Sequence, residues 1–162
     1  MTTNTISRLT NAEVLDLLAK AKNKQDVDEA LTVAHEDVVI EIPSYDASGR
    51  GKEEVGALWR HFFVLFPDYA VSLDSVWDAP DGGIAVQGKI SVTLTGEFEG
   101  HAPNGKRVTV PAFMLFGFRD EKISYELFHI DFGTICRASG VPLESAVAAI
   151  KKEARWSEYK HA

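Results

Sequence analysis

The chain has 162 residues, 45% hydrophobic and 25% charged, so its length predicts one globular domain able to bury roughly 70% of its unfolded surface. The 17 Lys and Arg against 24 Asp and Glu leave a net charge of -7, which excludes binding of nucleic acid or an anionic membrane through a general positive field. One cysteine, Cys136, forms no internal disulfide, the first nine residues lack a signal-type apolar stretch, and no run approaches the ~18 apolar residues of a membrane span, so a cytoplasmic protein is expected.

Thr10 and Glu13 have the spacing of a helix capping box, followed by Val14, Leu17, Leu18 and Ala21 at helical intervals. Lys20 and Lys22 fall in the closing turns, where cations suit the helix dipole. A short second helix is expected over 26–34, a strand over 38–43 and a loop over 45–51. The run Gly49-Arg50-Gly51-Lys52 is not a phosphate loop, because the position five before the Gly-Lys pair is Asp46 rather than Gly. Residues 52–65 form an amphipathic helix with Val55, Leu58, Trp59 and Phe62 on one face, stopped by Pro67. Strands follow over 69–77 and 84–98, the second interrupted by Gly88 and Gly96 as bends would be. The strand over 107–119 is apolar on both faces, which predicts a central strand covered on both sides. A last strand over 123–131, a short helix over 133–139 ended by Gly140, and a final helix over 142–156 with Leu143, Val147, Ile150 and Ala154 inward complete the chain. The order predicts an α+β fold, helices gathered on one face of a curved antiparallel sheet.

Three stretches carry a family resemblance. Gly49-Arg50-Gly51 leads into a helix closing on Leu65-Phe66-Pro67-Asp68-Tyr69. Leu94-Thr95-Gly96-Glu97-Phe98-Glu99-Gly100-His101-Ala102-Pro103-Asn104-Gly105-Lys106 follows, and Asp120-Glu121-Lys122-Ile123 opens a strand that closes on Asp131. From about residue 26 to residue 140 the chain resembles the SnoaL-like polyketide cyclases of the nuclear transport factor two-like superfamily. The resemblance implies a cone-shaped α+β barrel over the single domain 1–162, with 141–162 a helical extension. It implies a small apolar ligand in the wide end and a homodimer formed through the sheet. It further implies a cofactor-free intramolecular aldol closure by an acidic residue on the late strands, where Asp131 falls. Isomerases, dehydratases, epoxide hydrolases and non-catalytic binding or oligomerisation domains share the scaffold, so fold alone does not set function. Steroid-isomerase chemistry is disfavoured: Ile42, not Asp, precedes Pro43, and Glu41 one position earlier points to the other strand face. The epoxide-hydrolase arrangement is weakened by the absence of Asp and Arg between Thr109 and Gly117.

Asp131 and His129, two apart, share a strand face with Tyr125, and a carboxylate beside an imidazole makes a general acid–base pair. The competing reading is that Asp131 caps the following helix. A metal site on His129 and Asp131 lacks a second placed His, so none is expected. Glu126 lies on the opposite face; a solvent-facing side chain is the favoured reading, and a cavity-facing one would make it a candidate acid. Glu41 is a base candidate if it faces the cavity. His101, at the cavity rim by resemblance, or Tyr125 would donate to the enolate. Trp59, Phe63 and Phe113 are candidates for an apolar lining.

Overall fold

The computed structural model describes residues 8–153. Helix α1, Asn11–Asn23, begins with the capping box the sequence specifies. The Glu13 amide donates to Thr10 Oγ1 at 3.2 Å, and the Thr10 amide donates to the Glu13 carboxylate at 2.7 Å. Its buried stripe is Val14, Leu15, Leu18, Ala21 and Lys22. Leu17, expected inward, is 38% exposed, because it stands one helical step off that stripe. Helix α2, Val27–Thr32, is capped by Asp26 and is shorter than expected, since Ala34 already belongs to strand β1, Ala34–Ile42. The stretch read as a loop holds a single 3-10 turn and a strand. Asp46 takes a left-handed backbone, which aspartate tolerates better than most residues, and this returns β2, Ala47–Arg50, antiparallel onto β1. Helix α3, Gly51–Leu65, stops where expected: Phe66, ahead of Pro67, leaves the helical region at φ -130°, ψ 71°.

Strands β3 (Ala70–Asp78), β4 (Ile84–Thr93), β5 (Arg107–Arg119) and β6 (Lys122–Ile130) follow, then helices α4 (Phe132–Ser139) and α5 (Leu143–Glu153). The six strands form one curved sheet ordered β2-β1-β6-β5-β4-β3, in which only β1 and β6 run parallel. The expected long strand over 84–98 ends at Thr93, and Phe98 instead bridges His101. Gly88 faces a register slip between Leu73 and Ser75, and a Cβ there would lie 2.2 Å from the Ser72 carbonyl, so only glycine permits this approach.

Helices α1 and α3 cover the inner face, α1 across β3 and β6 and α3 across β1 and β2. The core lies between them, with Phe66, Leu18, Leu58, Ile40, Ile90 and Ile123 fully buried. The outer face of β5 is not covered as its two-sided apolarity predicted: Phe113 is 55% and Leu115 47% exposed. In α5, Ile150 is buried as expected and Leu143 is exposed; Ala154 and Trp156, placed on this helix by its periodicity, lie outside the described residues. Among the described residues no helix is long and apolar enough to cross a membrane.

Candidate active site

Alternation along β6 sends Glu126, Phe128 and Ile130 inward and leaves Tyr125, Leu127 and His129 outward. Glu126 is therefore not solvent-facing; it is 1% exposed and sits in the sheet between Ile40 of β1 and Phe116 of β5. Burying a carboxylate is costly unless it is paired, and the partner comes from α1. Lys22 Nζ donates to Glu126 Oε1 at 2.5 Å. The same ammonium lies 4.9 Å from the ring centre of Trp59 and 5.8 Å from that of Phe128, so aromatic faces share its charge. Glu126 Oε2 has no hydrogen-bond partner among the described residues.

Around this pair lies a cavity lined by Ile40 and Ile42 of β1, Trp59, Phe62 and Phe63 of α3, Tyr69, and Phe128. Phe62 organises the aromatic wall, edge-on to Tyr69 at 5.3 Å and to Phe128 at 5.8 Å. The cavity is narrow, with room for about one water molecule. Burial, and next the negative charge of Glu126, hold the Tyr69 and Tyr45 phenols far above the usual tyrosine range, so both stay protonated donors. The arrangement offers one acceptor oxygen, one cation and one neutral donor within apolar walls, the components of proton abstraction next to a carbonyl.

Of the candidate site residues named from the sequence, Trp59, Phe63 and Glu126 meet in this cavity. Asp131 is exposed and caps α4, its Oδ1 accepting from the Thr134 amide at 2.9 Å and its Oδ2 from the Thr134 hydroxyl at 2.7 Å. Those hydrogen bonds, the side-chain one first, hold the Asp131 carboxyl below the usual aspartate range. His129 is exposed on the outer sheet face, opposite Phe113 of β5. Glu41 and Tyr125 share that outer face, where the Tyr125 hydroxyl donates to Glu41 Oε2 at 2.7 Å. Burial first, and then this bond to the carboxylate, push the Tyr125 phenol up to about 12. His101 is exposed in the loop after β4, its backbone paired with Phe98. One strand residue of offset thus separates the expected pair from the cavity.

Sequence reasoning missed Lys22 and Tyr69. Lys22 reads as a closing-turn cation, but it continues the apolar stripe of Leu15 and Leu18 at i+4 spacing, and a lysine in a core stripe is the signal that finds it. Tyr69 directly follows the Phe-Pro-Asp motif, whose role is structural. Asp68 ties the end of α3 to the sheet by accepting from the Thr93 amide and hydroxyl, each at 2.7 Å, and from Arg107. The other motif acts the same way: Asn104 donates to the Ala138 carbonyl at 3.0 Å and its amide to the Ser139 carbonyl at 2.9 Å, clasping the loop onto α4.

The fold is that of the nuclear transport factor two and ketosteroid isomerase group. The chain is similar to a protein with a ketosteroid isomerase-like fold from Catenulispora acidiphila DSM 44928, solved in complex with trimethylamine (TM-score 0.72, 16% identity, 84% of this chain and 98% of that one). It is similar to a proposed SnoaL-like polyketide cyclase from Jannaschia sp. CCS1 (TM-score 0.71, 21% identity, 88% and 99%). It is also similar to IdmH, a proposed polyketide cyclase from Streptomyces antibioticus (TM-score 0.69, 22% identity, 82% and 100%). No curated protein matches the chain significantly. The family model for SnoaL-like polyketide cyclases matches residues 12–138, most of the chain, and with the α+β cone and its walled carboxylate in place, this chain belongs to that family.

Proposed function

We propose that the chain is an acid–base catalyst acting on a small apolar carbonyl compound, closing it by an intramolecular aldol reaction, with Glu126 as the proton-transfer group. The observation that carries this reading is the free acceptor of Glu126, Oε2, inside an aromatic-walled cavity beside a single ammonium. Glu126 takes a proton from the carbon next to the substrate carbonyl, and the electron pair moves onto the carbonyl oxygen. The Tyr69 hydroxyl and Lys22 stabilise that oxyanion. The enolate carbon then bonds to a second carbonyl carbon of the same molecule, and Glu126 returns its proton to the new alkoxide. Every proton taken is given back, so the cycle is closed by these three residues and the substrate.

The second reading, a non-catalytic ligand-binding domain, is favoured by the narrowness of the cavity. The two separate on one experiment, in which 2-tetralone, an apolar ketone, is incubated with the protein in D2O and hydrogen exchange next to its carbonyl is followed by NMR. Exchange above the buffer rate is expected; ligand-induced chemical shift changes in the protein without exchange would favour the binding reading. A homodimer through the outer sheet face belongs to the same proposal. In one row across the sheet, Trp77, Ala85, Leu115 and Leu127 lie side by side, with Trp77 and Leu115 half exposed.

A further inference from the structure

A second narrow cavity lies behind the first, lined by Leu15 and Leu18 of α1, Val71 and Leu73 of β3, and Met114 and Phe116 of β5. Two residues line both cavities, Lys22 and Tyr69. Each cavity alone has room for about one water molecule, so a ligand enters either one only as side chains move. What separates them includes a lysine side chain, an unbranched stem with four rotatable bonds whose head is fixed by Glu126 and the faces of Trp59 and Phe128. Lys22 retains 11% side-chain exposure, so part of its side chain borders the surface. With Lys22 and Tyr69 lining both, a stem turned aside would leave one longer space with the polar groups between two apolar ends.

We infer that Lys22 is a movable partition, and that the ligand is an elongated apolar molecule carrying its reacting oxygen near the middle of its length, one apolar arm in each chamber. This rests on the acid–base reading of Glu126 and specifies the substrate class for that site. Burial of the two apolar arms turns the stem, and an oxygen at the waist then gives the Lys22 ammonium a second acceptor, shared with Glu126. The same movement that opens the second chamber frees the carboxylate to take the proton, so occupancy and base activation are one event.

The isomers heptan-4-one and heptan-2-one test this, because they differ only in whether the oxygen divides the chain evenly. Calorimetric titration of the wild-type protein is expected to give about fifteenfold tighter binding of heptan-4-one, since two methylenes of the longer arm in heptan-2-one find no chamber, at about fourfold per methylene. Ala19 also lines the second chamber from the half-buried side of α1. Ala19→Phe, and separately Val71→Phe, fill that chamber and are expected to bring the ratio close to one; two variants guard against a folding failure in either. A wild-type ratio at or below one, or a ratio unchanged in both folded variants, overturns the partition. If 2-tetralone exchange proceeds while the isomers bind equally, the partition fails and the acid–base reading stands. If neither ketone binds and no exchange occurs, both fail together.

Discussion

Glu126 and Lys22 are a buried ion pair of unequal exposure, and the inequality has consequences. The Glu126 side chain is 1% exposed and that of Lys22 11%. Lys22→Met leaves a carboxylate with no cation and no route to water, so a loss of about 3 kcal/mol is expected in urea unfolding. Glu126→Gln leaves an ammonium that still has two aromatic faces and a partly exposed side chain, so its loss is expected to be smaller, about 1 kcal/mol. The double variant Lys22→Met with Glu126→Leu removes both charges and is expected to recover most of the single-variant loss. Equal losses for the two single variants would show that the unequal exposure has no consequence, and additive losses in the double would show that the pair is not coupled as its geometry indicates. Asp131, by contrast, is a helix cap whose alanine variant is expected to lose about 1 kcal/mol of stability while proton exchange is unchanged.

The motifs that carry the family resemblance sit at the joints between elements. Asp68 joins α3 to β4 and β5: partial burial opposes its charge, but bonds from Thr93 and Arg107 outweigh that and hold its carboxyl below the usual aspartate range. A carboxyl whose folded value is depressed stabilises the fold above its unfolded value, near 4, and loses that contribution as pH falls through the folded value. Asp68→Asn is therefore expected to destabilise the protein by about 2 kcal/mol at pH 7, and the gap to wild type to close below pH ~4; a gap that persisted in acid would mean that shape, not charge, makes the joint. These elements were legible because their causes are local. Thr10 and Glu13 state a cap and Pro67 a stop, whereas the Asp131 cap was only the competing reading beside a catalytic one. The hairpin of β2 was not, because a four-residue strand of Ala, Ser, Gly and Arg has no apolar alternation to announce it.

The whole molecule decides what alternation leaves open, namely which strand face looks inward. On β6 both faces carry apolar side chains, Phe128 and Ile130 on one and Leu127 on the other, so the period was readable and its phase was not. The phase is set by α1 and α3, whose packing on the sheet buries the face bearing Glu126. The outer face also carries apolar side chains, and it is the surface on which the proposed dimer would pack. Leu115→Glu, at the centre of the Trp77–Ala85–Leu115–Leu127 row, is expected to convert a dimer to a monomer in light scattering, and an unchanged mass would remove this face from any assembly. The placement of one carboxylate inside and another outside is the claim on which the function rests. It is tested most directly by hydrogen exchange of 2-tetralone in D2O, with Glu126→Gln and Asp131→Asn measured side by side as folded proteins. The structure predicts a loss of about 100-fold or more for Glu126→Gln and an unchanged rate for Asp131→Asn; retained exchange in the first, or lost exchange in the second, would contradict it.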